Sequence, residues 1–291
     1  MKTADPRKIY KQPPYSDEKQ APPGTEQQMD PNTDHGESSY QGTGRLKDRH
    51  ALVTGADSGI GRAVALAFAR EGADVAISYL SEHEDAQETE QLVTDAGRKA
   101  LLLPGDIAER SVCATITERA LDAFGHIDIL VNNAAFQRTY ERFEDISDDE
   151  FEETYRVNVF AMFRLCKAVL PRMRPGGSII NLGSIQSFDP SASLIAYAST
   201  KAAIVSFTRS LATLAIKQGV RVNAVAPGPV WTPLIPATLP KEQVKQFGSQ
   251  TIFGRAAQPA EIAPIFVFLA SDQASYVSGE VYGVTGGQMP M

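Results

Sequence analysis

His50-Ala51-Leu52-Val53-Thr54-Gly55-Ala56-Asp57-Ser58-Gly59-Ile60-Gly61 is the stretch on which the fold turns. A short buried-strand pattern, His50–Thr54, runs into a turn carrying three glycines, and a helical pattern, Gly59–Arg70, opens directly behind it. Glycines there let the backbone turn tightly and approach a pyrophosphate, while the first amides and the dipole of the helix attract the anion. The spacing is G-x-x-x-G-x-G rather than G-x-G-x-x-G. Its weight therefore comes from its place at the first strand of an alternating chain. Gly55, Asp57, Ser58, Gly59, Ile60 and Gly61 are the candidate phosphate-loop residues.

Working outward, apolar runs predict further strands at Asp74–Tyr79, Ala100–Leu103, Ile127–Val131, Ser178–Leu182, Arg221–Val225 and Glu280–Val284. Between them, amphipathic spacing predicts helices at Glu82–Ala96, Ala108–Phe124, Ile195–Lys217 and Ala260–Ala270, with one long helix over Asp149–Met173. Val-, Ile- and Leu-rich strands alternating with helices predict an α/β, doubly wound parallel sheet of the Rossmann type. No internal repeat breaks the pattern. A single domain over residues 45–291 is expected, behind a Pro-rich extension at 1–44.

That extension holds six of the 18 prolines and one branched aliphatic residue, Ile9. It cannot bury enough apolar surface alone to offset its ordering entropy. Two readings stand: a disordered tail, or a strap across the body or a neighbouring subunit with Tyr10, Tyr15 and Tyr40 as anchors. The whole chain has 28 Lys+Arg against 35 Asp+Glu, a net charge of −7, so a nucleic-acid partner is not expected. Two cysteines, Cys113 and Cys166, exclude a disulfide framework and suit a reducing cytoplasm. The start has no apolar signal core, and Ile262–Ala270, the longest apolar stretch, is far short of a membrane span. Cytoplasmic localisation, without a membrane partner, is the expectation. The four histidines (35, 50, 83 and 126) show no metal-ligand spacing, and no metal site is expected.

Cofactor choice is normally decided at the end of the second strand, where an acid binds a ribose 2′-OH and basic groups take a 2′-phosphate. Ser78-Tyr79-Leu80-Ser81 offers neither, and Ser58 is not basic. A missing carboxylate removes one source of repulsion, which tilts the expectation slightly toward NADP over NAD and leaves both open. Further along, Tyr197 and Lys201 sit four residues apart on one helix face, so phenol and ammonium can share a cleft. A neighbouring cation favours phenolate and is expected to bring the Tyr197 pKa down toward working pH. Ser184 ends the strand Ser178–Leu182, on the rim where open α/β sheets bind ligands. Singly, each of these is an ordinary helix or turn residue.

Together with Asn132-Asn133-Ala134, Asn158 and Pro227-Gly228, these motifs follow the order and spacing of the short-chain dehydrogenase/reductases, and the resemblance covers roughly residues 45–290. KQPP, APPGTEQQMDP, NNAAFQRTYERF, APGPVWTPLIPA and QFGSQ resemble one branch, the glucose and ribitol dehydrogenase homologues and related bacterial oxidoreductases. One departure is Ala135, where the family commonly has glycine. The resemblance implies that Tyr197 is the general acid/base, with Lys201 tuning it and binding the nicotinamide ribose. Ser184 would hold the substrate oxygen and Asn158 a water relay to Lys201, although Asn158 also reads as a polar kink in a long helix. Tyr79, Asp106, Ile107, Asn133, Pro227, Gly228, Val230 and Thr232 would line the dinucleotide. A homotetramer built from the helices near 149–173 and 195–217 and the C-terminal strand is also implied, with Val157, Phe160, Phe163 and Leu165 at its surface.

Two function classes remain. One is an NAD(P)-dependent oxidoreductase interconverting an alcohol and a carbonyl of the sugar, polyol or aldehyde class. The other is a dinucleotide-binding regulator or scaffold without turnover, which would not need an acid with a tuned pKa. Residues 228–250, with Trp231, Leu234, Ile235, Leu239 and Phe247 among four prolines, read as a lid over the site or as a fixed helical hairpin.

Overall fold

The computed structural model describes residues 4–288. Seven strands form one parallel sheet in the order β3-β2-β1-β4-β5-β6-β7. They are β1 (His50–Thr54), β2 (Asp74–Tyr79), β3 (Ala100–Pro104), β4 (Ile129–Asn132), β5 (Ser178–Leu182), β6 (Arg221–Pro227) and β7 (Val281–Val284). The sheet alternates faces residue by residue, as strand geometry requires. Val53, Ile77, Val131 and Ile180 join the cluster under α1 (Gly59–Arg70) and the late helix Pro259–Ala270. Leu52, Ala76, Leu130 and Ile179 face the opposite cluster. There they meet α3 (Arg110–Phe124), α5 (Ala161–Val169) and α6 (Ile195–Ala215). The strand order reverses between β1 and β4, which opens a crevice at the carboxyl ends of the strands.

The long helix expected over Asp149–Met173 is broken into pieces. α4 (Asp148–Tyr155) passes through a π-turn at Arg156–Phe160 before α5 begins. The π-turn is centred on Asn158, whose side chain leaves the helix to bind elsewhere, and such bulges recur at functional sites. α2 (His83–Asp95) covers β2 and β3.

Residues 4–44 contain one turn of 3₁₀ helix, Glu26–Gln28, yet lie packed on the body. Tyr10 donates to Asp34 at 2.6 Å, and the Tyr15 hydroxyl accepts from the Ala256 amide at 3.3 Å. Tyr40 donates to the wholly buried Glu71 at 2.7 Å, which also receives Thr43 and Arg45. The segment has too little apolar surface for a core of its own, so it completes someone else's. Tyr15 and Met29 close a third cluster with Trp231, Ile235, Leu239 and Val244.

Of the two readings of residues 228–250, that packing matches the helical hairpin. Residues after β6 form two short helices, α7 (Leu234–Thr238) and α8 (Lys241–Lys245), clamped beneath the strap. Trp231 is 1% exposed, packs tilted against Tyr15 with ring centres 4.5 Å apart and donates to the Pro31 carbonyl at 2.8 Å. It faces the strap, and the hairpin's other side lines the cleft.

Candidate active site

The crevice is a cleft of about 1070 Å³ along the carboxyl edge of the sheet. Its floor at the β1 end is the glycine loop. Gly59 has φ +50, a left-handed conformation open to glycine at little cost, and its first-turn neighbour Gly61 lies so close that a Cβ would stand 1.8 Å from the Gly55 carbonyl. The loop is braced on several sides. Arg62 and Thr89 donate to the Asp57 carbonyl at 2.8 and 3.0 Å, and the Asn133 amide donates to the Thr54 and Gly55 carbonyls at 2.9 Å each. Asn133 thus shapes the loop with its side chain. The first amides of a helix have no intrahelical partners, so Ile60 and Gly61 offer N–H groups for a phosphate.

Gly55, Asp57, Ser58, Gly59, Ile60, Tyr79, Asp106, Ile107 and Asn133 line this half of the cleft. Pro227, Gly228, Val230 and Thr232 line the other wall with Ser184 and Tyr197. Gly61 and Lys201 lie behind the surface, and Asn158 lines a separate small void. Asp57 is buried, which raises its carboxyl to about 6, with the charges of Glu82 and Asp85 adding to the rise. The Tyr79 hydroxyl bonds His83 Nδ1 at 2.9 Å.

At the other end, Ser184 caps a 3₁₀ turn and accepts from the Gln186 amide at 3.1 Å. Tyr197 and Lys201 rise from the first turns of α6, with the ammonium 5.3 Å from the phenol ring centre. Lys201 is 1% exposed and donates to the Leu182 carbonyl at 2.7 Å. Burial without a carboxylate partner lowers it to about 7. The same burial pushes Tyr197 up to about 12, with the Ser184 hydroxyl beside it pulling the other way. Burial and Ser184 thus set the phenol, while Lys201 is bonded to the backbone and not to the phenol oxygen. The Asn158 amide is likewise committed: it accepts from Phe136 N at 2.7 Å and donates to the Phe136 carbonyl and to Thr200 Oγ1 at 2.9 and 3.0 Å. It touches the helix of Lys201 through Thr200, not Lys201 itself.

The strap also reaches this site, through Pro22 and Pro23 on the cleft wall and Glu26 beneath the loop. Composition alone concealed them, and only the APPGTEQQMDP resemblance marked the segment. At the opposite edge of the sheet, folding brings His50, His126 and Asp128 within 4.8 Å, a grouping that spacing along the chain does not show. Arg174 stands 3.4 Å from His126 Nε2, the nitrogen that also faces Asp128, so the cluster reads as a charge network. Among the described residues, no helix is long and apolar enough to cross a membrane.

A glycine-loop cleft with a hydroxyl, a phenol and an ammonium converging at its far end defines a dinucleotide-dependent oxidoreductase of the Rossmann type. Residues 55–289 match the family described as enoyl-(acyl carrier protein) reductase. The chain is 48% identical over 286 residues to the uncharacterised oxidoreductase YghA of Escherichia coli, covering 98% of this chain and 97% of that protein. It is 46% identical over 291 residues to a glucose and ribitol dehydrogenase homolog of Oryza sativa, covering 94% and 96%. The solved L-sorbose reductase of Gluconobacter frateurii, complexed with NADPH and L-sorbose, superposes with a TM-score of 0.78 at 32% identity, over 85% of this chain and 99% of that one. The chain belongs to the short-chain dehydrogenase/reductase family.

Proposed function

We propose that the protein interconverts an alcohol and a carbonyl of the sugar or polyol class, with NADP(H) accepted and NAD(H) also used. The observation that carries this is that Ser184 and Tyr197, with Lys201 buried behind them, stand at one end of a cleft whose other end is the glycine loop. The cofactor supplies hydride transfer at its nicotinamide; the protein supplies binding, orientation and the proton. The loop amides of Ile60 and Gly61 take the pyrophosphate, with Asp106, Ile107 and Tyr79 around the adenosine half and Pro227, Gly228, Val230 and Thr232 around the nicotinamide half.

Ser184 holds the substrate oxygen and Tyr197 gives or takes its proton. A phenol held up at about 12 stays protonated at neutral pH, the form needed to donate to an oxygen gaining negative charge. In the reverse direction the phenol must ionise, and protonated Lys201 offsets that charge. A protonated Lys201 5.3 Å from the ring centre favours the ionised form, so reduction starts from the phenol and oxidation from the phenolate. Asn158 holds the helix of Lys201 in place through Thr200. Polar groups on the substrate side, among them Gln137, Gln186, Gln243 and Ser191, suit a polyhydroxylated substrate, and the names of the rice and Gluconobacter proteins point the same way.

We also propose a homotetramer. Phe160 and Phe163 are 44% and 48% exposed on the helix expected at the interface, and Leu214 and Ile216 are exposed near the end of α6. Leu165, expected beside them, is wholly buried and belongs to the core. Light scattering at micromolar concentration tests this, and a monomer refutes it. The activity is tested by following NADPH and NADH oxidation across aldoses, ketoses and simple aldehydes. No turnover on any of them refutes the assignment.

A further inference from the structure

We propose that Glu26, in the N-terminal strap, is a positioning residue of the dinucleotide site, holding the glycine loop in its binding shape through the Gly59 amide. The inference rests on the reading that this loop binds NAD(P)(H).

The geometry begins with a missing cap. Ser58 is the N-cap residue of α1 but its hydroxyl caps nothing, and the first turn carries no acidic side chain. Left there, the first amide of a twelve-residue helix would have no partner at its most electropositive point. The Glu26 carboxylate fills that role from outside, accepting the Gly59 N–H at 2.6 Å. Gly59 is also the left-handed residue on which the turn depends. The body braces the loop at the Thr54, Gly55 and Asp57 carbonyls, and the strap braces its one remaining corner. By taking Gly59, the carboxylate leaves the following amides to the phosphates.

A bare carboxylate beside a pyrophosphate would repel it. Glu26 is not bare: it accepts from Thr33 Oγ1, and its other oxygen is 2.9 Å from His35 Nε2. His35 Nδ1 in turn meets Glu37 at 2.9 Å. Burial works against charge on His35, but Glu26 and Glu37 outweigh it and raise the imidazole to about 9. At neutral pH the Glu26–His35 pair is thus carboxylate and imidazolium, and its charge is locally balanced. The Glu26 backbone donates to Asp85 Oδ2 at 3.0 Å, which fixes the strap to α2, and Arg62 stands 3.6 Å from the same carboxylate's other oxygen. The carboxylate therefore arrives at Gly59 on a rigid mount, and only the strap can deliver it.

Direct binding of NADPH and NADH to the full-length protein, read by fluorescence titration, tests the proposal with Glu26→Gln and Glu26→Ala. Expected are Kd values raised about fivefold for Gln and about tenfold for Ala, the latter close to the 1.4 kcal/mol per decade of a lost helix cap. Steady-state KM for the cofactor should rise more than kcat falls, a split that general destabilisation does not produce. Should the Ala variant not fold, Gln keeps the shape and one acceptor and carries the test. Wild-type affinity in a folded variant of either kind overturns the strap proposal alone. A wild-type protein binding neither dinucleotide overturns the underlying reading as well.

Discussion

Lys201 in the catalytic cleft and His35 in the strap are both nitrogen bases sealed from water, at 1% and 3% exposed. The fold treats them in opposite ways. His35 lies between two carboxylates and is pushed up to about 9; Lys201 has a carbonyl and no counter-ion, and is pushed down to about 7. Where the charge serves only to hold two segments together, it is paired and fixed. Where it stands at the candidate catalytic centre, it is left without a counter-ion, and its pKa falls toward neutral. The contrast separates structural from chemical use of buried charge within one chain.

The cleft's half of that contrast breaks first at the phenol. Tyr197→Phe removes one oxygen and should lower kcat by about 10²–10⁴ with little change in dinucleotide Kd. Turnover near wild type in the variant would dismiss the assignment. On the strap's side, Trp231→Ala empties the junction of strap and hairpin and should cost about 3–5 kcal/mol by denaturant unfolding. A loss under 1 kcal/mol would mean that the strap is held elsewhere.

The opposed pKa shifts have a joint signature. His35 rises from 6.5 to about 9 on folding, so its contribution is full below pH 6.5 and is lost as pH climbs through 9. Lys201 falls from 10.5 to about 7, so the unfolded chain binds the extra proton and stability rises with pH across that range. Between pH 7 and 9 the two slopes, about 1.4 kcal/mol per pH unit each, cancel. Lys201→Met should unmask a fall in stability with pH, and His35→Gln a rise. The groups facing His35 are Glu26, Glu37 and Arg62. Identical pH profiles for both variants and wild type would remove the comparison's basis.

The smallest effect concerns cofactor choice. Glu82 lines the cleft and helps keep Asp57 raised, so Glu82→Gln should shift the NADP(H)/NAD(H) ratio of kcat/KM several-fold toward NADP(H). An unchanged ratio would place the 2′-position away from this acid.

Much of this was legible in the residues. β1, β2, β5 and α1 fall where the apolar runs and glycines put them, because buried parallel strands carry an unmistakable signal. Ser184 and Tyr197 meet in the cleft for the same reason: strand ends and helix starts share one edge. What escaped was whatever depends on contacts between distant segments. Asn158 reads as a polar kink in the sequence and sits in the π-turn, but nothing local says that its amide is taken by Phe136. Trp231 among prolines looks like a mobile lid until Tyr15, more than two hundred residues earlier, is seen against it. Sequence spacing puts Lys201 beside Tyr197 but is silent on desolvation, which decides both pKa values.

The strap's partners carry a consequence for biosynthesis. The Pro6 carbonyl accepts from Arg255, the Asp34 amide donates to Gln258 Oε1 while its carbonyl accepts from the Ala260 amide, and the Pro31 carbonyl accepts from Trp231. Residues 4–44 thus have one part of their seat near Gly59, Glu71 and Asp85 and another on residues 231–260, synthesised some two hundred residues later. Until residues 231–260 are made, that second part of the seat is missing, and the strap's poverty in aliphatic side chains keeps it from sticking to anything else meanwhile. The composition that looks unfit for folding on its own is what lets the strap finish docking late.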